Sequence, residues 1–110
     1  MTTTADQYTY RVEWHEPDNE YVGTVAEFPG LSWLAPTQTE ALDGIRTTVT
    51  EVLDDMTGTG EPIPQPLGTR AFSGKFQVRI SPTLHHKLAR NAAEEGISLN
   101  AYISEKLAAS

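Results

Sequence analysis

Lys75-Phe76-Gln77-Val78-Arg79-Ile80-Ser81-Pro82 decides how the chain is read. Phe76, Val78 and Ile80 alternate strictly with Lys75, Gln77 and Arg79, which predicts a strand with one apolar and one polar face. Ser81 before Pro82 is an N-cap with proline at the first helical position. Leu84, Leu88 and Ala92, widened by Ala89 and Ala93, make the apolar stripe of a helix that Gly96 stops. Ser98 caps a second helix, with a stripe of Leu99, Tyr102 beside Ile103, and Leu107. Strand, helix, glycine turn and helix therefore fill residues 73–110.

Such a unit is incomplete as one copy. A lone strand leaves its N–H and C=O groups unpaired and its apolar face uncovered. About 40 residues also bury too little surface to be stable alone. Two copies remove both problems: the strands pair antiparallel across a two-fold axis, and four helices close over a dimer core of Phe76, Val78 and Ile80. Lys75, Gln77 and Arg79 then face outward from a two-stranded ribbon, which fits the major groove. Lys and Arg suit guanine acceptors there, and Gln suits adenine. At the Gly96-Ile97-Ser98-Leu99-Asn100 junction a helix N-terminus offers N–H groups and a positive dipole end to a phosphate, so Ser98, Leu99 and Asn100 are the expected clamp. In order, spacing and the Gly-x-Ser-x-Asn junction, Lys75 to Leu107 resembles the ribbon-helix-helix family, which implies a homodimer on operator DNA. The competing reading is an ordinary strand and helical hairpin packed on the N-terminal sheet.

Upstream, Glu61-Pro62-Ile63-Pro64-Gln65-Pro66 reads as an extended, stiff spacer, because alternate prolines suit neither a helix nor an interior strand. A domain boundary is expected between Gly58 and Ser73. Before it, Thr37-Gln38-Thr39-Glu40 matches a capping box, and Leu42, Ile45, Val49, Val52 with Leu53, and Met56 follow at helical spacing. The helix is expected to end near Met56, which would set Asp54 and Asp55 against the macrodipole. Tyr8, Tyr10, Val12 and Trp14 alternate with polar residues in a first strand, with Trp14 expected in the core. His15 to Glu20 is a polar turn, and Tyr21 to Glu27 the returning strand. Pro29-Gly30 reads as a type II turn, with Leu31 to Ala35 as a third strand.

Charge divides the chain. Residues 1–70 carry twelve acidic and three basic side chains; residues 71–110 carry three acidic and five basic ones. An acidic surface repels nucleic acid and suits a basic protein, whereas the basic part suits a polyanion. There is no cysteine, hence no disulfide framework and no thiolate metal site. The first six residues are polar without a basic or apolar run, so no signal peptide is expected. No apolar run approaches the ~20 residues of a membrane span. A cytoplasmic protein without membrane contact is the expectation.

Tyr8-x-Tyr10-x-Val12-x-Trp14, Glu20-Tyr21-Val22-Gly23, Glu27-Phe28-Pro29-Gly30-Leu31 and Thr37-x-x-Glu40-Ala41-Leu42, with the Glu-Pro-Ile-Pro stretch, resemble the HicB antitoxin family. The resemblance spans Tyr8 to Pro66. It implies an α+β fold: a β-β-β-α domain related to a degenerate ribonuclease H over residues 6–66, then the ribbon-helix-helix unit over 73–110. It also implies an antitoxin that neutralises HicA, a small basic ribonuclease toxin, and represses its own operon, with no cofactor. Trp33 is then the candidate apolar anchor for the toxin, and Glu51, Asp54 and Asp55 the candidate charge contacts. Pairing of dimers into tetramers is left open.

Two rivals come from other classes. One is a stand-alone ribbon-helix-helix regulator without a toxin partner. The other is a nuclease using Glu13, Glu27, Glu51 and Asp55, although no metal-site motif accompanies them. His85 and His86 are adjacent on a helix and point about 100° apart, so they do not chelate one ion.

Overall fold

The computed structural model describes residues 3–110. It divides at Phe72/Ser73 into two compact units.

In the first unit, β1 (Tyr10–His15), β2 (Glu20–Val25) and β3 (Ser32–Ala35) form an antiparallel sheet in the order β1-β2-β3. Residues paired across strands share a face. The register sets Tyr10, Val12 and Trp14 beside Val25, Gly23 and Tyr21, and Tyr21 and Gly23 beside Ala35 and Trp33. That face lies under the helix α1 (Gln38–Thr59). The opposite face carries Arg11, Glu13, Val22 and Leu34 and is not the one that α1 covers.

The Thr37 hydroxyl accepts from the Glu40 N–H at 3.2 Å, which starts α1. Ala41, Ile45, Val49 and Leu53 are its buried stripe, and they meet Tyr8 and Val25 in the core. Packing is closest at Gly23. A Cβ there would lie 2.6 Å from the Ala41 carbonyl oxygen and 2.9 Å from the Ile45 side chain.

Several expectations need correction. The helix passes Met56 and Gly58 and ends at Gly60, whose φ of 73° provides the left-handed residue. The Glu61 N–H closes the end on the Met56 carbonyl at 3.0 Å. One interior glycine costs a helix only about 1 kcal/mol, so Gly58 does not stop it. Asp54 and Asp55 consequently sit before the last turn. Phe28 to Leu31 forms a turn closed by a 3.0 Å bond from the Leu31 N–H, but Gly30 is not left-handed as type II requires. Trp14 is not core: it is 46% exposed, edge-on to Tyr21, with its indole N–H bonded to Glu16. Its strand is an edge, and α1 covers the other end of it more fully, where Tyr10 packs on the core.

The proline-rich stretch is not a free spacer. Tyr8 donates its hydroxyl to the Pro64 carbonyl at 2.7 Å, the Leu67 N–H donates to Glu27 at 2.9 Å, and Pro66 is fully buried. Residues 61–72 thus belong to the first unit as a strap.

In the second unit, α2 (Pro82–Glu94) and α3 (Leu99–Ala108) pack as a hairpin. Ser81 caps α2 by accepting from the Leu84 N–H at 3.1 Å. Gly96, at φ 72°, ends it, with the Ile97 N–H bonded to the Ala92 carbonyl at 3.1 Å and the Gly96 N–H to Ala93 at 3.1 Å. That is the two-bond glycine ending of a helix. Ala92 and Tyr102 are the buried pair between the helices. No helix of the described residues is long and apolar enough to cross a membrane.

Candidate nucleic-acid interface

Residues 75–81 form no strand in the single chain. The reason is physical: an isolated strand has nothing to pair with, and no other strand belongs to this unit. The apolar alternation is nevertheless displayed to solvent. Phe76 is 75% exposed and Val78 67%, with Ile80 at 39%. Leu84 and Leu107 are also exposed. Phe76 and Val78 line one open groove with Leu99, Ile103 and Leu107. Only Ala92 and Tyr102 of this unit are fully buried, which is little apolar burial for 38 residues.

The remaining expected residues fall around that groove. Lys75 and Asn100 both line it, so the start of the cationic stretch and the start of α3 share one surface. Gln77 and Arg79 are exposed in the same extended segment. At α3, the Ser98 hydroxyl accepts the Ala101 N–H at 3.0 Å and the Ser98 carbonyl accepts the Tyr102 N–H at 2.9 Å. The Leu99 and Asn100 N–H groups have no acceptor among the described residues. Two free donors at a helix start, with the positive end of the dipole behind them, suit an anion.

A further feature was missed in the sequence. His86, Lys87 and Arg90 share one exposed face of α2 at helical spacing. None of the three makes an ion pair among the described residues. The signal was present as basic residues three and four apart.

On the first unit, Trp33 lies half exposed with its ring on Gly44: a Cβ at Gly44 would come within 2.0 Å of the indole. Glu51 and Asp55 follow Gly44 at seven and eleven residues, so all three share one side of the helix. Trp33, Glu51 and Asp55 therefore belong to one stripe. Asp54 does not join it, and instead borders a groove with Asp6, Thr50 and Ile63. The glycine within an otherwise regular helix was the available clue to the Trp33 seat.

The carboxylates considered for a nuclease are dispersed. Glu13 lies on the open sheet face, ion-paired with Arg11 at 3.1 Å. Glu27 accepts the Thr9 N–H and hydroxyl at 3.0 Å each, and the Leu67 N–H. Glu51 and Asp55 are exposed on α1. Among the described residues no three His, Asp or Glu side chains converge as a metal site. His15 and Asp18 meet at 2.9 Å within the polar turn.

Fold and surfaces together define a two-unit α+β protein: an acidic sheet-and-helix body, and a cationic helical hairpin with an uncovered apolar face. The model of the HicB family matches residues 59–107, just under half of the chain, which supports membership of that family. The match begins at the end of α1 and lies mostly on the second unit, whereas the resemblance read from the sequence lay on residues 8–66. No curated protein and no solved structure matches the chain.

Proposed function

We propose that this chain is a non-catalytic antitoxin that acts in the cytoplasm. It binds and neutralises a HicA-like ribonuclease toxin, and it represses its own operon by binding operator DNA. The observation that carries the reading is the HicB-family match over residues 59–107, because most of those residues, from Ser73 on, belong to a cationic unit with an exposed apolar face.

Division of labour follows the charge. The first domain, residues 6–66 together with the remainder of the strap to Phe72, holds the toxin; residues 73–110 bind DNA as a homodimer. In that dimer, residues 75–81 pair with their copies as a two-stranded ribbon. Phe76, Val78 and Ile80 turn inward, while Lys75, Gln77 and Arg79 read base edges from the major groove. The free N–H groups of Leu99 and Asn100, with the Ser98 and Asn100 side chains, hold one phosphate per copy. A toxin that binds RNA presents a basic surface, and the first seventy residues carry a net charge of −9. Opposite charge speeds encounter, and a desolvated anchor such as Trp33 holds the complex. Of the acidic candidates, Glu51 and Asp55 continue the stripe of that anchor along α1, and Asp54 contributes from the adjacent side.

Co-expression with the protein of the neighbouring reading frame tests the reading. The full chain restores growth that the neighbour arrests, and it shifts duplex DNA from its own upstream region. A neighbour without toxicity, or toxicity that the chain leaves untouched, overturns it.

A further inference from the structure

Charge in the second unit is segregated along the chain. Residues 73–93 carry Lys75, Arg79, Lys87 and Arg90 and no acid, whereas residues 94–110 carry Glu94, Glu95 and Glu105 against Lys106 alone. Pairing follows the same division. Among the described residues, Arg11 and Arg46 are ion-paired, Arg70 donates to the Gln65 carbonyl at 2.8 Å, and Lys106 lies over the Tyr102 ring at 5.2 Å. The other four of the eight Lys and Arg side chains have no such partner there, and they are the four of residues 73–93. The ribbon accounts for Lys75 and Arg79. It does not account for Lys87 and Arg90, which share an exposed face of α2 with His86.

That face turns away from the rest of the unit. Arg90 and the buried Ala92 are two residues apart, hence about 200° apart round the helix. A dimer that covers the apolar side of α2 therefore leaves the cationic side open. Lys87 and Arg90 are neighbours on the helix surface, where like charges repel. The helix has no acid in its first turn and Glu94 in its last, the reverse of what the macrodipole favours. An anion along residues 86–90 would relieve the repulsion, and the acids stand at the far end from it. Local rules broken in this way point to a binding role.

We infer that this face of α2 holds the phosphate backbone of duplex DNA beyond the base pairs that the ribbon reads, with Lys87 and Arg90 neutralising two further phosphates per copy. The inference rests on the DNA-binding reading of residues 73–110, and that reading selects the occupant. With residues 75–81 in a major groove, α2 starts at the groove and carries Lys87 about 8 Å and Arg90 about 12 Å along its axis. The groove is about 12 Å wide, so cations at that distance meet its phosphate wall and not base edges. The ribbon itself brings a duplex to this face, whereas an acidic protein has no such guide. His86 adds a ring N–H donor. Such contacts carry no sequence information; they raise affinity on every duplex and make it steeply salt-dependent.

The affinity of the full chain for duplex from its own upstream region, followed over a range of salt concentrations, tests the inference. Log affinity falls with log salt by about 0.9 per neutralised phosphate. Lys87→Gln combined with Arg90→Gln removes two charges per copy and four per dimer, so the slope should become shallower by about 3–4. Affinities for the upstream and for random duplex should fall by the same factor. Arg11→Gln, which removes the same charge from the first unit, should leave the slope unchanged. Shortening the duplex from both ends should bring the wild-type slope down towards that of the double variant. If the wild type binds duplex and the double variant keeps its slope, the inference is overturned while the DNA-binding reading stands. A wild-type advantage that survives trimming intact overturns it too. A wild type that binds no duplex removes the underlying reading and this inference with it. An unchanged slope with loss of toxin neutralisation gives the face to a protein and likewise overturns it. Both side chains are exposed, so circular dichroism should show intact helices; should the double variant lose them, Lys87→Gln alone decides, with a slope change of about 2.

Discussion

At Glu27 one carboxylate gathers the start of β1, the end of β2 and the strap. Burial alone pushes this carboxyl up. Donation from the Leu67 and Thr9 N–H groups, from its own N–H and from the Thr9 hydroxyl outweighs that, and holds it below its ordinary 4.5. A depressed carboxylate stabilises the fold above its unfolded value and loses that contribution as pH falls through the folded value. The first unit should therefore weaken as pH drops below about 4.5. Glu27→Gln should lower stability at pH 7 by about 1.5–3 kcal/mol, since bonds to a charged acceptor are lost, and should flatten the acid side of the profile. Thermal unfolding from pH 7 to pH 3 measures both; an unaltered acid slope would remove Glu27 as its source. None of this was legible in the sequence, because the partners lie 18 and 40 residues away. Gly23 was likewise silent: a glycine in a strand signals close approach without saying of what. Gly23→Ala should cost about 1–3 kcal/mol, as an added methyl must displace backbone and not only a side chain. Its Tm should drop by several degrees, and an unchanged Tm would mean that α1 stands farther from the sheet.

At the scale of elements, apolar period and caps carried most of what could be read. Ser81-Pro82, Gly96 and Ser98 bound α2 and α3 where expected, because caps act within one turn. The three strands and α1 also fall where period-2 and period-3.6 patterns put them, with ends shifted by a few residues. The alternation at 75–81 is the informative case. It is a strand pattern without a strand, since this unit holds no other strand to pair with and alternation needs none. Side-chain chemistry on that segment and at the start of α3 gives two separable outcomes. Replacing Gln77 or Arg79 with Ala should weaken operator binding by about 1–3 kcal/mol, with less loss on random duplex, as expected for base readout. Equal losses on both at one salt concentration would move these residues to the phosphate backbone. Asn100→Asp places an anion beside the proposed phosphate. It should weaken all duplexes alike and leave the helices folded, as circular dichroism would show; loss of sequence preference alone would contradict the clamp.

Across the whole molecule, the charge division near residue 70 falls close to the structural boundary at Phe72/Ser73. Charge was legible because it is a sum over residues and needs no contacts. The strap was not, since a proline-rich stretch reads as a spacer until Tyr8 and Glu27 are seen to hold it. That docking sets where a functional fragment must end. A cut before Leu67 removes the Glu27 partner, whereas residues 1–72 keep it. Growth under co-expression of the neighbouring reading frame's protein, the proposed toxin, with residues 1–72, with residues 73–110 or with the full chain tests the division of labour directly, alongside operator shifts by each. Residues 1–72 should restore growth without shifting the operator, and residues 73–110 should shift it without restoring growth. Rescue by residues 73–110 alone would contradict that division.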